Sequence, residues 1–246
     1  MIYDKIKSSK QPKLAVLIDP DKQGPGSLLS MIQLAGNCKV DFFFVGGSLL
    51  VEKNFEETVA AIKEHSEIPV VIFPGSNYQV SEKADAILFL SLISGRNAEY
   101  LIGQQVAAAP LIKKMGLEAI ATGYILVDGG HVSSTAYITQ TLPVPHDKND
   151  IAVATAQAAE MMGMKLIYLE AGSGAKRTVS TEMIAAVKRA ITIPLITGGG
   201  IRTAEQAEEI CKAGADIIVV GNVLEETPEL LMEISLAVHS VNKTEA

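Results

Sequence analysis

Eight short runs rich in β-branched and other aliphatic residues alternate with amphipathic stretches along this chain. Nothing else in the sequence limits the fold as strongly. The runs lack a clean alternation of apolar and polar residues, which is typical of parallel strands covered on both faces. Parallel neighbours need crossover connections, which helices usually supply. The predicted strands are Lys13–Ile18, Val40–Val45, Pro69–Phe73, Ala86–Leu90, Glu118–Val127, Lys165–Leu169, Ile193–Thr197 and Asp216–Val220.

The stretches between the strands have the apolar spacing of surface helices. Eight βα units in a chain of 246 residues predict a (β/α)8 barrel, a TIM barrel, and a doubly wound open sheet is the alternative. Because no segment has the composition of a linker, residues 1–246 are predicted to form a single domain. The predicted helices are Leu28–Asn37, Glu52–His65, Ala98–Met115, Asp150–Met162, Thr181–Ala190, Ala204–Ala213 and Glu229–Val241.

The third βα unit is short. Its connecting segment is PGSNYQVSEKAD, residues 74–85. A crossover helix with its turns normally needs a dozen or more residues, so the third helix is predicted to be missing or reduced to an extended segment. Such a unit can be merely degenerate, or it can open a groove in the barrel wall, and the segment alone favours neither interpretation.

The charge balance limits the possible ligands. With 21 Lys and Arg against 28 Asp and Glu, the chain lacks the basic surface that nucleic-acid binding needs. The apolar run Leu14–Ile18 is too short for a signal peptide, and no run is long enough to cross a bilayer. Cys38 and Cys211 have no CxxC partner and are expected to be reduced, partly buried thiols, which predicts a cytoplasmic protein.

The stretch TGGGIR, residues 197–202, follows the seventh predicted strand. Without Cβ atoms, Gly198–Gly200 can turn sharply enough for successive backbone N–H groups to converge on one anion. Gly221 and Asn222 follow strand eight and are expected to lie beside that loop. In this fold the loops after strands seven and eight commonly bind phosphate. A glycine turn without a ligand is the alternative for either loop alone, but the two loops together favour a phosphate site.

The sixth predicted strand continues into YLEAGSG, residues 168–174. Glu170 ends the strand and is expected to face the barrel mouth, and Gly172–Gly174 forms a second turn rich in N–H groups. A carboxylate beside a bound anion would be repelled unless it had a task, such as taking a proton from a substrate hydroxyl. A salt bridge to a neighbouring Lys or Arg is the structural alternative.

Across the barrel, the first strand ends in LIDPDK, residues 17–22. Asp19 and Asp21 offer hard oxygen ligands and Lys22 a cation, a set that suits Mg²⁺ bound partly through substrate phosphates. Asp19, at the strand end, is the preferred ligand, and Ser48 after the second strand adds a hydroxyl. A turn before a helix is the alternative. Two polar sites on opposite sides of one mouth predict two phosphorylated substrates, or one substrate with two phosphates.

The loop after the fifth strand, residues 128–150, is long and rich in hydroxyl groups. Loops of this length are often lids or binding segments, and this one is expected at the C-terminal mouth of the barrel. Its histidines, His131 and His146, have no obvious partner. We interpret them as solvated side chains rather than as bases.

The motifs LIDPDK, VGGS, YLEAGSGA, TGGGIR and VVGN occur in this order across nearly the whole chain. On these motifs the chain resembles the geranylgeranylglyceryl phosphate synthase family, also called the PcrB-like prenyltransferases. The glycine loop alone is weak evidence for this family, whereas YLEAGSG together with DPDK is specific to it. The resemblance implies a modified TIM barrel that joins sn-glycerol 1-phosphate to geranylgeranyl diphosphate, or a similar polyprenyl diphosphate, by an ether bond. It further implies Mg²⁺, release of pyrophosphate and a place in glycerol-ether phospholipid biosynthesis.

The resemblance also assigns residues. Asp19 and Ser48 match the Mg²⁺ positions, and Glu170 matches the residue proposed as base for the glycerol hydroxyl. The groove left by the short third unit would take the apolar tail of the prenyl donor. The positions that match the glycerol 1-phosphate site are Tyr168, Leu169, Glu170, Ala171, Gly172, Ser173, Gly174, Gly199, Gly200, Gly221 and Asn222.

The chain departs from part of the family at one position. Some archaeal and bacillary members have Lys two positions before the Asp of the first motif, where this chain has Leu17. It is similar instead to the second subgroup, whose members tend to form hexamers built from dimers, so a homo-oligomer is expected. The apolar stripe of Glu229–Val241 could be core or subunit interface. An amphiphilic product could draw the enzyme transiently to a membrane surface, although no strongly basic amphipathic helix is present.

Two other functions fit the predicted fold. Asp19 and Asp128 are similar to the acid–base pair of a phosphosugar isomerase, but that enzyme class has a second glycine-rich loop after strand three, where this chain has FPGSNYQ. A non-catalytic barrel that binds a phosphorylated ligand would not need Glu170 and Asp19 facing each other across one mouth. The β/α periodicity and the lack of a DDxxD pair exclude an all-helical prenyltransferase.

Overall fold

The computed structural model describes residues 1–52 and 54–242, and within them the eight predicted strands close into one barrel in sequential order. All neighbouring strands are parallel, and the barrel closes where Ala15 pairs with Val219. The barrel prediction is confirmed, and the open-sheet alternative is wrong. The strands are β1 Lys13–Ile18, β2 Phe42–Val45, β3 Val70–Ile72, β4 Ala86–Leu92, β5 Glu118–Leu126, β6 Leu166–Glu170, β7 Leu195–Gly198 and β8 Ile217–Val220.

The seven predicted helices are all present, with ends that shift by a few residues. Three short helices, Ile2–Lys7, Ser134–Thr139 and Asn222–Glu226, were not predicted, because five or six residues are too few to show a helical period. A π-helical turn, Glu99–Gly103, leads into the helix that begins at Gln104. The helices are α1 Ile2–Lys7, α2 Pro25–Asn37, α3 Phe55–His65, α4 Gln104–Met115, α5 Ser134–Thr139, α6 Asn149–Met161, α7 Thr181–Ala190, α8 Ala204–Lys212, α9 Asn222–Glu226 and α10 Leu230–Ser240.

The third unit lacks its helix, as predicted. Residues 73–85, between β3 and β4, form only turns and irregular chain. The buried side chain of Gln79 fixes this segment to the loop after β2. Its Oε1 accepts the N–H groups of Gly47 at 3.3 Å and Gly75 at 3.1 Å, and its Nε2 donates to the Gly47 carbonyl at 2.8 Å. The segment is therefore held in place without a helix.

Strand side chains alternate between two apolar layers. In β2, Phe42 and Phe44 fill the barrel interior, whereas Phe43 and Val45 pack between the sheet and the helices. Burying each such side chain stabilises the fold by roughly 1.5–3 kcal/mol. Both faces of the strands are therefore apolar, which explains why the sequence shows no alternation with polar residues.

Three aspartates tie neighbouring strands together at the N-terminal end of the barrel. Each precedes an even-numbered strand, accepts an N–H from the preceding odd-numbered strand and pairs with a lysine. The fourth strand pair differs, because Glu118 on β5 instead accepts N–H groups of α1, which closes the barrel floor. The three bonds are Asp41 to Leu14 N at 2.9 Å, Asp85 to Val70 N at 2.8 Å and Asp216 to Leu195 N at 2.7 Å, with Lys13, Lys63 and Lys188 as partners.

Candidate active site

A cavity of about 320 Å³ opens at the C-terminal ends of the strands, where the active sites of this fold lie. Its polar end contains Asp19, Ser48 and Glu170. Its other end passes between β4 and α4 into the layer outside the sheet, at the unit that lacks a helix. The missing helix thus opens a groove in the barrel wall. The groove is lined by Phe73, Val80, Ile87, Phe89, Ala108 and Ile112.

Glu170 ends β6 and is only 6% exposed. Its Oε1 accepts the N–H of Gly172 at 2.7 Å. Burial raises the pKa of Glu170 to about 7, against the lowering effects of the Gly172 N–H and the nearby Tyr168 hydroxyl. Among the residues that the structure describes, Glu170 has no ion-pair partner, so the salt-bridge interpretation is not supported. A carboxyl that titrates near neutral pH has the property required of a general base.

The raised pKa of Glu170 makes the stability of the fold depend on pH. Between pH 4.5 and about 7 the folded protein binds this proton more tightly than the unfolded chain does. The free energy of unfolding should therefore fall as pH rises through this window, by about 3 kcal/mol at most. Urea unfolding at pH 5 and pH 8 measures the fall. In Glu170→Gln this component should vanish; an equal fall in both proteins would contradict the assignment.

Three aromatic rings lie beneath Glu170. Phe73 and Tyr168 are stacked with centroids 5.0 Å apart, and Tyr124 packs against both at 6.0 and 5.4 Å. Burial and the Glu170 charge raise the pKa of both tyrosines, so their hydroxyls stay protonated at neutral pH. The buried Tyr168 hydroxyl lies beside the Glu170 carboxylate, but no described group meets it with hydrogen-bond geometry.

The glycine loop after β7 packs directly on the loop after β6. Gly199 and Gly200 have φ of +86° and +76°, a region that favours glycine. A Cβ at Gly199 would lie 2.5 Å from Glu170 Oε1 and 2.8 Å from Gly172 N. Thr203 caps α8, as its hydroxyl accepts the Gln206 N–H at 3.2 Å. Two N–H-rich turns and a helix N-terminus therefore converge beside Glu170, an arrangement suited to an anion.

A third loop completes this cradle. The Ser173 hydroxyl donates to Asn222 Oδ1 at 2.9 Å and so joins the loops after β6 and β8. Leu169 and Ala171 are buried in the layer between sheet and helices, and Gly172 directs its N–H to Glu170. The members of the predicted glycerol 1-phosphate set that line the cavity are Tyr168, Glu170, Ser173, Gly174, Gly199, Gly200, Gly221 and Asn222.

Asp19 and Ser48 lie together across the mouth, and both line the cavity. Asp19 is partly buried, and this burial raises the pKa of its carboxyl, while the Asp21 N–H and the Lys22 charge oppose the shift. The Ser48 hydroxyl lies 3.1 Å from that of Thr135 on α5. The described residues contain no group of three or more His, Cys, Asp or Glu side chains that could hold a metal. Any cation here would need oxygens from a ligand as well.

Asp21 and Lys22 differ in their contact with the cavity. The Asp21 carboxylate accepts the N–H groups of Val51 at 2.6 Å and Glu52 at 3.2 Å, so it fixes the loop after β2 and does not line the cavity. Lys22 does line the cavity, with its Nζ 3.3 Å from Glu225 on α9 and 3.9 Å from Asp19. Of these two residues, only Lys22 is placed to contact a ligand in the cavity.

The remaining sequence candidates lie outside the cavity. Asp128 accepts a hydrogen bond from Arg177 at 2.7 Å, and the Gly130 N–H together with Arg177 holds the pKa of Asp128 below its ordinary value. His146 contacts the Thr178 carbonyl at 3.2 Å. His131 has a buried Nδ1 without a described hydrogen-bond partner but does not line the cavity. The paired-aspartate arrangement of an isomerase is therefore absent from the described residues.

Sequence reasoning missed several residues of the cavity wall. The long loop after β5 contains α5, which brings Thr135 and Ile138 over the mouth. Ser133 caps this helix by accepting the Ala136 N–H, and a serine before a short helix is a cap signal present in the sequence. Arg202, the last residue of TGGGIR, also lines the cavity. A cation two residues after the glycine turn is the signal that could have indicated it.

Fold and site together define a (β/α)8-barrel enzyme with a buried carboxylate and an anion cradle at the mouth. The chain belongs to the PcrB family, whose family model matches residues 6–239.

Named relatives are similar over almost the whole chain. The geranylgeranylglyceryl phosphate synthase of Spirosoma linguale is 50% identical over 238 residues, which are 97% of this chain and 96% of the relative. That of Chitinophaga pinensis is 52% identical over 226 residues, 92% of this chain and 90% of the relative. The crystal structure of (S)-3-O-geranylgeranylglyceryl phosphate synthase from Thermoplasma acidophilum with its substrate sn-glycerol-1-phosphate superposes with a TM-score of 0.93. It is 34% identical and covers 98% of this chain and 99% of its own.

Proposed function

We propose that this protein joins sn-glycerol 1-phosphate to geranylgeranyl diphosphate, or to a similar polyprenyl diphosphate, by an ether bond with release of pyrophosphate. The reaction belongs to the biosynthesis of glycerol-ether phospholipids. One observation carries the proposal: a single cavity has a buried carboxylate beside a glycine cradle at one end and an apolar groove at the other. The names of the relatives and the substrate bound by the Thermoplasma acidophilum protein support the same reaction.

In this proposal the glycine cradle holds the phosphate of sn-glycerol 1-phosphate, and Glu170 takes the proton of the reacting hydroxyl. The oxygen then forms a bond to the allylic carbon of the donor. The bond between that carbon and the diphosphate oxygen breaks, and pyrophosphate leaves with the electron pair. The pKa of Glu170, about 7, lets the carboxyl accept the proton and return it to water.

The apolar groove suits the donor tail. It begins beside the aromatic rings at the cavity floor and leaves the barrel between β4 and α4. Because its walls are apolar, transfer of a hydrocarbon chain from water into it is favourable. A sealed barrel would have no such outlet. The length of the donor depends on how far this groove extends, so donors of several lengths belong in any assay.

We propose Mg²⁺ as the cofactor, held by Asp19 and Ser48 together with diphosphate oxygens of the donor. The residues fit this ion, because Mg²⁺ commonly takes one or two protein carboxylates and completes its shell with phosphate oxygens and water. When bound, the ion neutralises charge on the departing pyrophosphate. Lys22 adds a second positive charge on the same side of the mouth.

Asp19→Asn should lower kcat/KM for the prenyl diphosphate by roughly 10²-fold or more, because the metal loses its only charged protein ligand in this proposal. Affinity for sn-glycerol 1-phosphate should stay within about twofold, since the cradle lies across the mouth. Steady-state kinetics over a range of Mg²⁺ concentrations, with calorimetric titration of Mg²⁺ and donor, measures both. Asp128→Asn is the matched control, because Asp128 pairs with Arg177 outside the cavity. Equal losses in the two variants would overturn the metal assignment.

Incubation with sn-glycerol 1-phosphate, Mg²⁺ and labelled prenyl diphosphates of several lengths tests the function directly. The expected product is a lipid-soluble ether that resists mild alkaline hydrolysis, formed together with pyrophosphate. sn-Glycerol 3-phosphate is the matched control for the acceptor. Folded protein that forms no ether with any donor would overturn the proposal.

The alternative functions have less support. The phosphosugar isomerase interpretation pairs Asp19 with Asp128, but Asp128 is engaged with Arg177 away from the cavity. A barrel that only binds a phosphorylated ligand would not require a buried carboxyl poised near neutral pH. Neither alternative uses the apolar groove.

We further propose a cytoplasmic homo-oligomer, either a dimer or a hexamer. The solvent side of α4 is apolar, as Val106, Ala107, Ala109, Pro110 and Leu111 are all exposed. A second copy of the chain would cover this face. Cys38 and Cys211 are buried and form no disulfide, which fits a reducing compartment.

We also propose a transient contact between the mouth and a membrane surface. Large apolar side chains on three loops around the mouth are strongly exposed, among them Leu49, Tyr78, Tyr137 and Leu142. They lie on the side where the groove for the apolar tail opens, so the donor or product could pass directly between lipid and enzyme. None of the helices in residues 1–52 and 54–242 is long and apolar enough to cross a bilayer.

A further inference from the structure

The anion cradle depends on the contact between two glycine loops. The loop after β7 touches the loop after β6 at successive positions. Gly199 has no room for a Cβ against Gly172, and a Cβ at Gly200 would lie 3.0 Å from the Arg177 carbonyl oxygen. Because glycine loops have high conformational freedom, backbone contact alone holds this geometry weakly. A side chain that bonds both loops would fix their relative position.

Arg202 is that side chain. Its Nη2 donates to the Ala175 carbonyl at 2.6 Å, in the loop after β6, and its Nη1 lies 3.4 Å from the Gly200 carbonyl in its own loop. The Arg202 N–H is itself held by Gln206 Oε1 at 2.8 Å. These side-chain bonds use two of the five guanidinium N–H donors. The planar guanidinium therefore bridges the two turns while keeping donors for a further acceptor.

The charge of Arg202 is also placed for an anion. The charged side chains on the cavity wall are three carboxylates, of Asp19, Glu170 and Glu225, and two cations, of Lys22 and Arg202. Lys22 is 3.3 Å from Glu225 on the side of Asp19. Among the described residues, Arg202 forms no ion pair. The chain has a net charge of −7. Arg202 is the cation that can offset the negative charge of a phosphate bound beside the ionised Glu170.

We propose that Arg202 is a positioning residue of the acceptor site, which locks the two glycine turns into one cradle and supplies its positive charge. The inference rests on the proposed binding of sn-glycerol 1-phosphate. It predicts that Arg202 acts on acceptor binding, with little effect on the chemical step. Loss of the side chain should raise KM for sn-glycerol 1-phosphate and leave kcat nearly unchanged.

Arg202→Met should weaken binding of sn-glycerol 1-phosphate and of inorganic phosphate by roughly tenfold or more, since charge-assisted hydrogen bonds are lost. Arg202→Lys keeps the charge but cannot form both bonds, so its affinity should fall between those of wild type and Arg202→Met. Arg177→Met is the matched control: this neighbouring arginine pairs with Asp128 outside the cavity. Its affinity should stay within about twofold of wild type. Calorimetric titration measures the affinities, and thermal unfolding should show that each variant is folded.

Two results would overturn the inference. One is wild-type affinity in Arg202→Met, and the other is an equal loss in Arg177→Met. If Arg202→Met does not fold, full wild-type affinity in Arg202→Lys would equally contradict the proposed bridge of two hydrogen bonds. The phosphate titration also separates this inference from the proposed function. Arg202-dependent phosphate binding in a protein that makes no ether product would leave the cradle assignment standing and overturn only the prenyl transfer.

Discussion

Glu170→Gln is expected to lower kcat by roughly 10²–10⁴-fold, the usual contribution of a general base. Gln keeps the size of the side chain and an oxygen that can accept the Gly172 N–H, so the cradle should remain formed. Affinity for sn-glycerol 1-phosphate should therefore change by no more than about threefold. Single-turnover kinetics with labelled donor, together with calorimetric titration of the acceptor, measures both quantities. Turnover near the wild-type rate would show that Glu170 is not the base.

Urea unfolding of Glu170→Gln at pH 8 shows whether this loss of activity comes from unfolding. Glu170→Gln removes a buried carboxyl that ionises only at a cost, so at pH 8 the variant should be at least as stable as wild type. Glu225→Gln is the matched control, because Glu225 also lines the cavity but is paired with Lys22. We expect this control to lose less than about tenfold in kcat. A loss equal to that of Glu170→Gln would point to general electrostatics of the cavity.

Gly199→Ala is expected to destabilise the protein by about 2–5 kcal/mol, the combined cost of a left-handed backbone for Ala and of overpacking. The new methyl carbon would lie 2.5 Å from Glu170 Oε1 and 2.8 Å from the backbone of Gly172. The two glycine turns would then have to separate. The cradle should lose affinity for phosphate along with the stability. Urea unfolding measures the free energy, and phosphate titration measures the affinity.

Gly163→Ala separates the cost of the left-handed backbone from the cost of overpacking. Gly163 has φ of +87°, almost the same as the +86° of Gly199, but no atom lies within 4 Å of its Cβ position. Its cost should be that of the backbone conformation alone, about 1 kcal/mol. A similar loss in both variants would show that the close packing of the two loops contributes nothing.

The fold was predictable because its signals are local and repeated. Each strand has both faces buried, as Phe42–Val45 illustrates, so every strand produces a plain apolar run. The absence of the third helix was predictable because too few residues separate the third and fourth apolar runs. Short helices such as α5 were not predictable in the same way, because a helix of six residues does not complete two turns.

The site was predictable only in part. Glu170 and the glycines stand at strand ends, where the fold itself brings them to the mouth. Asp19 was preferred over Asp21 from its place at the strand end, but the contacts of Asp21 were not visible, because they depend on the backbone of Val51 and Glu52 turning toward it. The bridge from Arg202 to Ala175 likewise joins loops that are separate in sequence. Such contacts arise from the folded arrangement and leave no pattern in the chain.

The three aspartates at the barrel floor have a consequence for the order in which the chain folds. Each joins strands that are near in sequence: Leu14 and Asp41 are 27 residues apart, Val70 and Asp85 are 15 apart, and Leu195 and Asp216 are 21 apart. Such contacts cost little loop-closure entropy and can form while the chain is still emerging from the ribosome. Closure of the barrel cannot occur at that stage, because β1 pairs with β8. Until β8 is synthesised, β1 presents an open edge, and that edge is where a nascent chain of this protein is exposed to aggregation.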